Sequence, residues 1–184
     1  KVLAPPVVTS FTTVGNVCHN NAITFNNTYT NGDGTVIKWI YNWNDGSPIQ
    51  TMTTGTNVTH IYITPGIKTA TLTLETGYGC RNVSFPVTFT VNPLPVPSYT
   101  FSNSVCLPAA NIVFTNTTPN TAANSYQWSF ELPSASPANT SILTNPSHVY
   151  TTQGPFNTHL IATNITSGCK DSTAIIVINS NTIH

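Results

Sequence analysis

The chain has 184 residues, of which 39% are hydrophobic and only 5% are charged, and its five basic residues balance its five acidic ones. An ordinary soluble domain carries about 25% charged residues, so the charge is unusually low while the apolar fraction is sufficient for a packed core. With so few Lys and Arg the chain cannot build the basic surface that nucleic acids or anionic membranes require, and it contains no apolar run of the roughly 20 residues that cross a bilayer.

The residues that replace the charged ones indicate an all-β protein. Thr suits strands because its branched Cβ fits a pleated surface, and Asn and Ser favour turns because their side chains bond nearby backbone groups. Apolar and polar residues alternate, as where Leu72 and Leu74 lie between threonines. We therefore predict about seven short strands in each stretch of roughly 90 residues, which is typical of a β-sandwich.

The first half of the chain carries a series of landmarks. A Pro-containing apolar segment at residues 3–7 precedes Phe11. Two Asn/Asp/Gly sequences are typical of turns, one at residues 31–34 and one at residues 44–46. The remaining landmarks follow in the order Cys18, Tyr41, Trp43, His60, Tyr62 and Cys80.

A proline-rich segment separates the two halves. Pro93, Pro95 and Pro97 stand at alternate positions, and proline fixes φ and removes a hydrogen-bond donor, so the segment is extended and semi-rigid. We predict a first domain at residues 1–92, a linker at residues 93–97 and a second domain at residues 98–184.

The second half repeats the landmarks of the first at a distance of about 85 to 90 positions. The distance from Cys18 to Cys80 is 62 positions, and the distance from Cys106 to Cys169 is 63. The other matching landmarks of the second half are Phe101, Tyr126, Trp128, His148 and Tyr150. So many matches in one order predict a tandem duplication.

These landmarks resemble the PKD family of immunoglobulin-like sandwiches. Residues 41–46 are similar to its Tyr-x-Trp strand and Asp/Gly turn, and His60 and Tyr62 to its His-x-Tyr sequence. The second domain keeps Tyr126 and Trp128 but departs at Glu131, where the Asp/Gly turn is expected. The added cysteines look like PKD-like repeats of bacterial surface proteins, notably of Bacteroidetes. The resemblance implies extracellular work in adhesion, spacing or fibre assembly, and it implies no chemistry.

The cysteines are predicted to form two disulfides. Zinc sites place ligands in closely spaced pairs, and no two of these cysteines are near each other in sequence. The repeat selects the pairs Cys18–Cys80 and Cys106–Cys169, with no free thiol. Closing each loop would contribute about 4 kcal/mol in the chain-entropy model, and disulfides indicate an oxidising compartment.

The repeated aromatic and histidine residues are predicted to be structural. Trp43 and Trp128 are expected in the core, on the disulfide side. His60 and His148 are expected to make a strand-edge hydrogen bond beside Tyr62 and Tyr150, because no acid or nucleophile recurs beside them. Trp39 has no counterpart in the repeat. It either extends the inward row of Tyr41 and Trp43 or, if the strand is irregular, is exposed to a ligand.

The acidic residues offer at most a weak calcium site. Calcium takes six to eight oxygen ligands, and Asp33 and Asp45 are the candidates in the first domain. No pair of acids suitable for glycoside hydrolysis recurs. We therefore predict no catalytic residues, no cofactor and no tightly bound metal.

The predicted function is that of a non-catalytic structural or adhesive module at the cell surface or outside the cell. The alternative is an accessory carbohydrate-binding or spacer module of a secreted hydrolase. The expected partners are like modules or copies of the chain itself, arranged head to tail, with surface glycans as a further class. Residues 3–7 resemble the linker, so we predict either a longer array of such modules or a subunit that assembles head to tail into a fibre. In the fibre, Val7 and Val8 are candidates for adding as a strand to the sheet edge of a neighbouring copy.

Overall fold

The computed structural model describes residues 2–55, 57–102, 110–131, 137–152 and 154–179. The chain divides into two compact units, Lys1–Pro93 and Leu94–His184. Each unit is an all-β sandwich of two antiparallel sheets. The two units are referred to below as the first and the second unit.

The described residues of the first unit form eight strands. They are β1 (Val7–Val14), β2 (Ala22–Thr30), β3 (Val36–Asn42), β4 (Gln50–Met52), β5 (Val58–Ile61), β6 (Gly66–Thr76), β7 (Arg81–Val83) and β8 (Val87–Val91). One sheet has the order β1-β2-β5, and the other has the order β4-β3-β6, with β7 and β8 both paired to β6. Strands β7 and β8 together line one edge of β6.

The described residues of the second unit also form eight strands. They are β9 (Tyr99–Phe101), β10 (Ala110–Asn116), β11 (Asn124–Ser129), β12 (Thr140–Ser141), β13 (Ser147–Tyr150), β14 (Phe156–Asn164), β15 (Lys170–Ser172) and β16 (Ile176–Ile178). Their sheets have the orders β9-β10-β13 and β12-β11-β14, with β15 and β16 paired to β14. Every strand therefore has a counterpart in the first unit, in the same position of the same sheet.

The register fixes which residues are equivalent. In the first unit, Thr76 donates its backbone N–H to the carbonyl of Cys80 at 3.0 Å. In the second unit, Asn164 donates to Cys169 in the same way at 2.8 Å. Counting back from these residues makes Leu72 of β6 the counterpart of Leu160 of β14, and both are fully buried.

The two ends of each sandwich are distinct. The leading end of the first unit is where β1 begins and β6 ends, and its trailing end is where β6 begins and β8 ends, because Gly66 pairs with Val91. In the second unit, Tyr99 pairs with Asn116 at the leading end, and Phe156 pairs with Ile178 at the trailing end. The chain thus runs into each unit at its leading end and out of it at its trailing end.

The N-terminal segment belongs to the leading end of its own unit. Ala4 donates its N–H to Asp33 Oδ2 at 2.9 Å, and Asp33 donates its own N–H back to the carbonyl of Ala4 at 3.1 Å. Val7 and Val8 pair with Thr30 and Tyr29 in β1 and β2. These two valines therefore start a strand of their own sheet, with β1 at its edge, and their pairing with a neighbouring copy stays a prediction.

Aromatic side chains dominate both cores. Because successive side chains of a strand point to opposite faces, Trp39, Tyr41 and Trp43 lie on one inward row, each less than 5% exposed. Trp39 therefore extends the inward row, as the first of its two predicted alternatives has it. The described residues contain two short 3₁₀ turns, Thr121–Ala123 and Pro137–Asn139. Among those residues no helix is long and apolar enough to cross a membrane.

Candidate functional site

A cluster of aromatic, histidine and acidic side chains lies at the trailing end of the first unit. The ring of His60 is stacked on that of Trp43, with centroids 4.6 Å apart and an interplanar angle of 7°. The ring of Tyr62 meets that of His60 edge-on at 4.7 Å. His60 and Tyr62 come from β5 and the residue after it, while Trp43 follows β3, so the cluster joins the two sheets.

Asp45 closes the cluster. Its Oδ2 accepts a hydrogen bond from His60 Nε2 at 2.7 Å, and its Oδ1 accepts from the backbone N–H and the hydroxyl of Ser47 at 3.0 and 2.5 Å. Partial burial raises the pKa of Asp45, but the hydrogen bonds from His60 and Ser47 outweigh it and hold that pKa at about 2. The carboxylate is therefore ionised at neutral pH.

Tyr62 holds the backbone of residues 43–46, which follow β3. It is only 1% exposed, and its hydroxyl donates to the carbonyl of Trp43 at 3.0 Å. Burial, and secondarily the charge of Asp45, raise the pKa of Tyr62 far above its ordinary value. The hydroxyl thus remains protonated and serves as a hydrogen-bond donor to a carbonyl that water does not reach.

The second unit contains the same cluster with a different aromatic residue. Tyr150 donates its hydroxyl to the carbonyl of Phe130 at 3.0 Å, and the ring of His148 is stacked on that of Phe130 at 4.5 Å. Glu131 stands in the place of Asp45, with its Oε1 3.7 Å from His148 Nε2. That distance is too long for a hydrogen bond. Burial lowers the pKa of His148, and Glu131 opposes that shift only in part.

In the structure, the counterpart of each Tyr-x-Trp residue of the first unit therefore lies two residues later in the second unit than the sequence match predicts. Phe130, and not Trp128, is the counterpart of Trp43. Trp128 pairs with Leu160 as Tyr41 pairs with Leu72, and Trp39 has Tyr126 as its counterpart. The prediction that no acid recurs beside the two histidines is wrong for the same reason, because the offset hid the correspondence of Asp45 and Glu131. Both tryptophans lie in the cores, with Trp43 1% and Trp128 0% exposed.

The two cysteines of the first unit lie at opposite ends of the sandwich. The backbone of Cys18 forms a parallel β-bridge with Asn92 at the trailing end. The carbonyl of Cys80 accepts a hydrogen bond from the N–H of Thr76 at the leading end. The 11 residues of β6 separate these ends by roughly 33 Å at about 3.3 Å per residue. A disulfide requires Cα atoms within about 7 Å.

The predicted Cys18–Cys80 disulfide is therefore wrong, and so is the prediction that no thiol is free. Cys80 is a free and partly exposed thiol, while Cys18 and Cys169 are both disulfide-bonded. The nearly equal spacing of the two cysteine pairs suggested a bond inside each domain. That spacing shows only that the cysteine positions repeat. Cys106, the predicted partner of Cys169, lies outside the described residues.

The two calcium candidates lie at opposite ends of the first unit. Asp33 precedes β3 at the leading end, and Asp45 follows β3 at the trailing end. The two carboxylates therefore cannot ligate one ion. In the part of the chain that the structure describes, no three His, Cys, Asp or Glu side chains come together in a way that would hold a metal ion.

A carboxylate with two cationic partners lies on the outer face of the five-stranded sheet. Glu75 accepts from Lys38 Nζ at 2.8 Å and from Arg81 Nε at 2.6 Å. These hydrogen bonds lower the pKa of Glu75. These three residues are among the chain's ten charged ones, and no sequence motif links them. In this cluster the carboxylate has a structural role.

Exposed aromatic residues are few. Among the described residues the strongly exposed ones are Tyr78, which is 72% exposed at the leading end of the first unit, and Phe85, which is 95% exposed between β7 and β8. Phe85 lies beside a groove of about 280 Å³ between β1 and the β7–β8 connection. The two rings do not form a row.

A family match covers nearly the whole first unit. Residues 3–91 match the family model described as the PKD domain. No curated protein matches the chain.

Several solved structures are similar to the chain. One is the PKD1 domain of Vibrio anguillarum Epp, at 17% identity and a TM-score of 0.41, covering 50% of this chain and 99% of that one. A second is the PKD1 domain of the Vibrio cholerae metalloprotease PrtV, at 20% identity and a TM-score of 0.39, covering 48% and 98%. A third consists of the fibronectin(III)-like modules of Clostridium thermocellum CbhA, at 11% identity and a TM-score of 0.47, covering 96% and 94%.

Proposed function

Because the first unit is a PKD domain and the second repeats it strand for strand, we propose that the chain is a non-catalytic extracellular module that joins like modules end to end, in an array or a fibre. In this role the chain supplies length and attachment and performs no reaction. The module works outside the cell, in the oxidising environment in which its disulfide-bonded cysteines persist.

The observation that carries the proposal is the path of the chain through each unit. β1 begins at the leading end and β8 ends at the trailing end, and the second unit is built in the same way. In such a fold the chain enters at one end and leaves at the other. Repeated copies of the fold therefore follow one another in a row, and each repeat contacts only its neighbours.

The surface of the first unit supports such contacts. Tyr78 is exposed at the leading end, and Ile63 and Ile67 are 77% and 76% exposed near the trailing end. Both ends thus present apolar side chains. The chain carries no net charge, so copies repel one another weakly, and the contact is expected to depend little on salt.

The carbohydrate-binding alternative has less support. Binding of a polysaccharide chain usually uses aromatic rings as stacking platforms, and the exposed rings Tyr78 and Phe85 lie at the end and on the flank of the first unit. The aromatic side chains of the Tyr-x-Trp strands are buried.

The proposal is tested by changing one ring at a time. Tyr78→Asp places a charge at the leading end, where it would have to be buried in an end-to-end contact. Phe85→Asp is the matched control, since Phe85 is at least as exposed but lies on the flank. We expect sedimentation velocity over a concentration series to show association of the native chain, weaker association of Tyr78→Asp, and unchanged association of Phe85→Asp.

A different result would support the alternative. If the native chain is monomeric at every concentration, and binds an insoluble polysaccharide in a way that Phe85→Asp abolishes, the end-to-end proposal fails. Equal loss of association in both variants would also contradict it, because the contact would then not be at the end of the module.

A further inference from the structure

Strand β12 of the second unit is too short to cover the edge of β11. Among the described residues it pairs with Trp128 and Ser129 alone, whereas β11 begins at Asn124. In the first unit, β4 follows the equivalent strand as far as Trp39, and Trp39 is the counterpart of Tyr126. The edge of β11 at Tyr126 is therefore open, while the matching edge of the first unit is closed.

The backbone of Tyr126 points towards this open edge. Phe130 donates its N–H to the carbonyl of Asn139, on the β12 side of β11, at 2.9 Å. Successive residues of a strand direct their backbone groups to alternate edges, so Trp128 and Tyr126 face the same side as Phe130. In the part of the chain that the structure describes, the N–H and the C=O of Tyr126 have no backbone partner there. Such a free pair at a strand edge is what binds a further strand.

Two hydrogen bonds lead the chain away from β11 after β12. Continuing the register in which Trp128 pairs with Ser141 would place Leu143 opposite Tyr126. The carbonyl of Leu143 instead accepts from Trp128 Nε1 at 2.8 Å, and its N–H donates to Ser141 Oγ at 3.2 Å. Both backbone groups of Leu143 are thus engaged elsewhere, and this residue does not close the edge at Tyr126.

A groove of about 440 Å³ lies along the open edge. It is lined by residues 124–127 of β11, by Thr163 of β14, and by Ile142 and Thr144 of the departing segment. Its volume lies in the range of ligand sites, which is roughly 300–1,000 Å³. The lining side chains are hydroxyl, amide, aromatic and aliphatic, and none carries a charge, so the groove suits an uncharged ligand.

The first unit shows what fits such an edge. There Met52 of β4 exchanges backbone hydrogen bonds with Trp39, and its side chain packs against the core. A residue that pairs with Tyr126 in the same way would also direct its side chain inward, because paired residues lie on the same face of a sheet. The described apolar residues that flank the core of the second unit, Phe101 and Ile176, come from other strands. The groove therefore fits an extended segment with an apolar residue opposite Tyr126.

We propose that this groove binds an extended, uncharged segment of a different protein, which adds to β11 as an antiparallel strand with an apolar side chain opposite Tyr126. Each of the sixteen described strands already belongs to a sheet of its own unit. Such a strand would bring its sheet with it to a groove that Ile142 and Thr144 bound, so a second copy of the chain fits less well than a free segment. The binding goes beyond the end-to-end role, because the groove follows a sheet edge.

The test is amide hydrogen exchange of the full chain, followed residue by residue by NMR. In the free protein the N–H of Tyr126 should exchange at least about tenfold faster than that of Trp39, which is paired with Met52. The probe is a synthetic peptide of residues 48–53, which contains β4 and is capped at both ends so that it carries no charge. We expect this peptide to slow the exchange of Tyr126 at least about tenfold and to leave that of Trp39 unchanged.

Two N-methylated forms of the peptide are the matched controls. Methylation at Met52 removes the N–H that would donate to the carbonyl of Tyr126, so this peptide should not protect Tyr126. Methylation at Thr51 removes an N–H that points away from β11, because adjacent residues direct their backbone groups to opposite edges. The second peptide should therefore protect Tyr126 as the unmodified one does.

Three results would overturn the proposal. The first is equal protection by the two methylated peptides, or no protection by the unmodified peptide at millimolar concentration. The second is protection of Tyr126 that grows with protein concentration in the absence of peptide, since a second copy would then fill the groove. The third is a shift of the Ser125 and Gln127 signals by cellohexaose without any effect of the peptide, which would identify a saccharide site. None of these results bears on the end-to-end association, which the Tyr78→Asp variant tests separately.

Discussion

The ring of His60 lies face to face with that of Trp43, 4.6 Å apart, and holds Asp45 through a hydrogen bond of 2.7 Å. A buried core residue is thus connected through one imidazole to a surface turn. Because the second unit repeats the stack with His148 and Phe130, the cluster is part of the module itself.

The first prediction concerns Asp45 and acid. Its pKa is about 2 in the folded state, below the ordinary value of about 3.9. The stabilisation is therefore complete above about pH 4 and is lost as the pH falls through about 2. Asp45→Asn should lower the free energy of unfolding at pH 7 by about 1 kcal/mol after allowance for solvent screening, as measured by chemical denaturation.

The control is Asp171→Asn, which alters an exposed carboxylate of β15. It should leave stability nearly unchanged. If native protein and Asp45→Asn do not converge as the pH approaches 2, the hydrogen bonds to the carboxylate do not stabilise the fold as argued.

The second prediction concerns the histidines of the second unit. Burial lowers the pKa of His148, with partial compensation by Glu131, and burial lowers that of His159. Because folding lowers the pKa of these histidines, the unfolded chain binds protons at a higher pH than the folded chain does. The free energy of unfolding is therefore highest above about pH 6.5 and declines as the pH falls below it. The double variant H148Q/H159Q should show a flatter stability profile between pH 7 and 5. Identical slopes for the native protein and the variant would refute this.

The third prediction concerns the buried tyrosine hydroxyls. Tyr62→Phe leaves the carbonyl of Trp43 without its donor, and Tyr150→Phe does the same to Phe130. Each should cost about 1–3 kcal/mol. Tyr78→Phe, which removes a hydroxyl from an exposed ring, should cost much less. Equal losses in all three variants would indicate that the buried hydrogen bond is not the cause.

The fourth prediction concerns the packing of Trp39. A Cβ added to Gly55 would lie 2.7 Å from Trp39 Cζ2, whereas one added to Gly77 would meet nothing within 4 Å. Gly55→Ala should therefore destabilise the first unit by about 1–3 kcal/mol through overpacking, and Gly77→Ala should not. Thermal melts of the two variants decide the matter, and a smaller loss for Gly55→Ala would contradict it.

The sequence predicted the fold because the landmarks and the period-two alternation are local signals. Leu72 and Leu74, expected to face inward, are fully buried. Local sequence signals did not show which residues of β3 and β11 are equivalent. Tyr41-x-Trp43 and Tyr126-x-Trp128 look alike, yet they sit two positions apart in register, because Phe130 takes the place of Trp43.

A distance along the chain carried the missing signal. Phe130 precedes His148 by 18 positions, close to the 17 between Trp43 and His60, whereas Trp128 precedes it by 20. The disulfide pairing had no such signal, since spacing in sequence does not tell at which end of a sandwich a cysteine lies. Only the pairing of Gly66 with Val91, and of Thr76 with Cys80, separates Cys18 from Cys80.

The most direct test of the end-to-end function is electron microscopy of the native chain at high concentration, with the Tyr78→Asp variant beside it. We expect unbranched threads of one chain after another for the native protein, and shorter threads or single particles for the variant. Separate particles of the native chain at every concentration, or threads that Tyr78→Asp leaves unchanged, would contradict it.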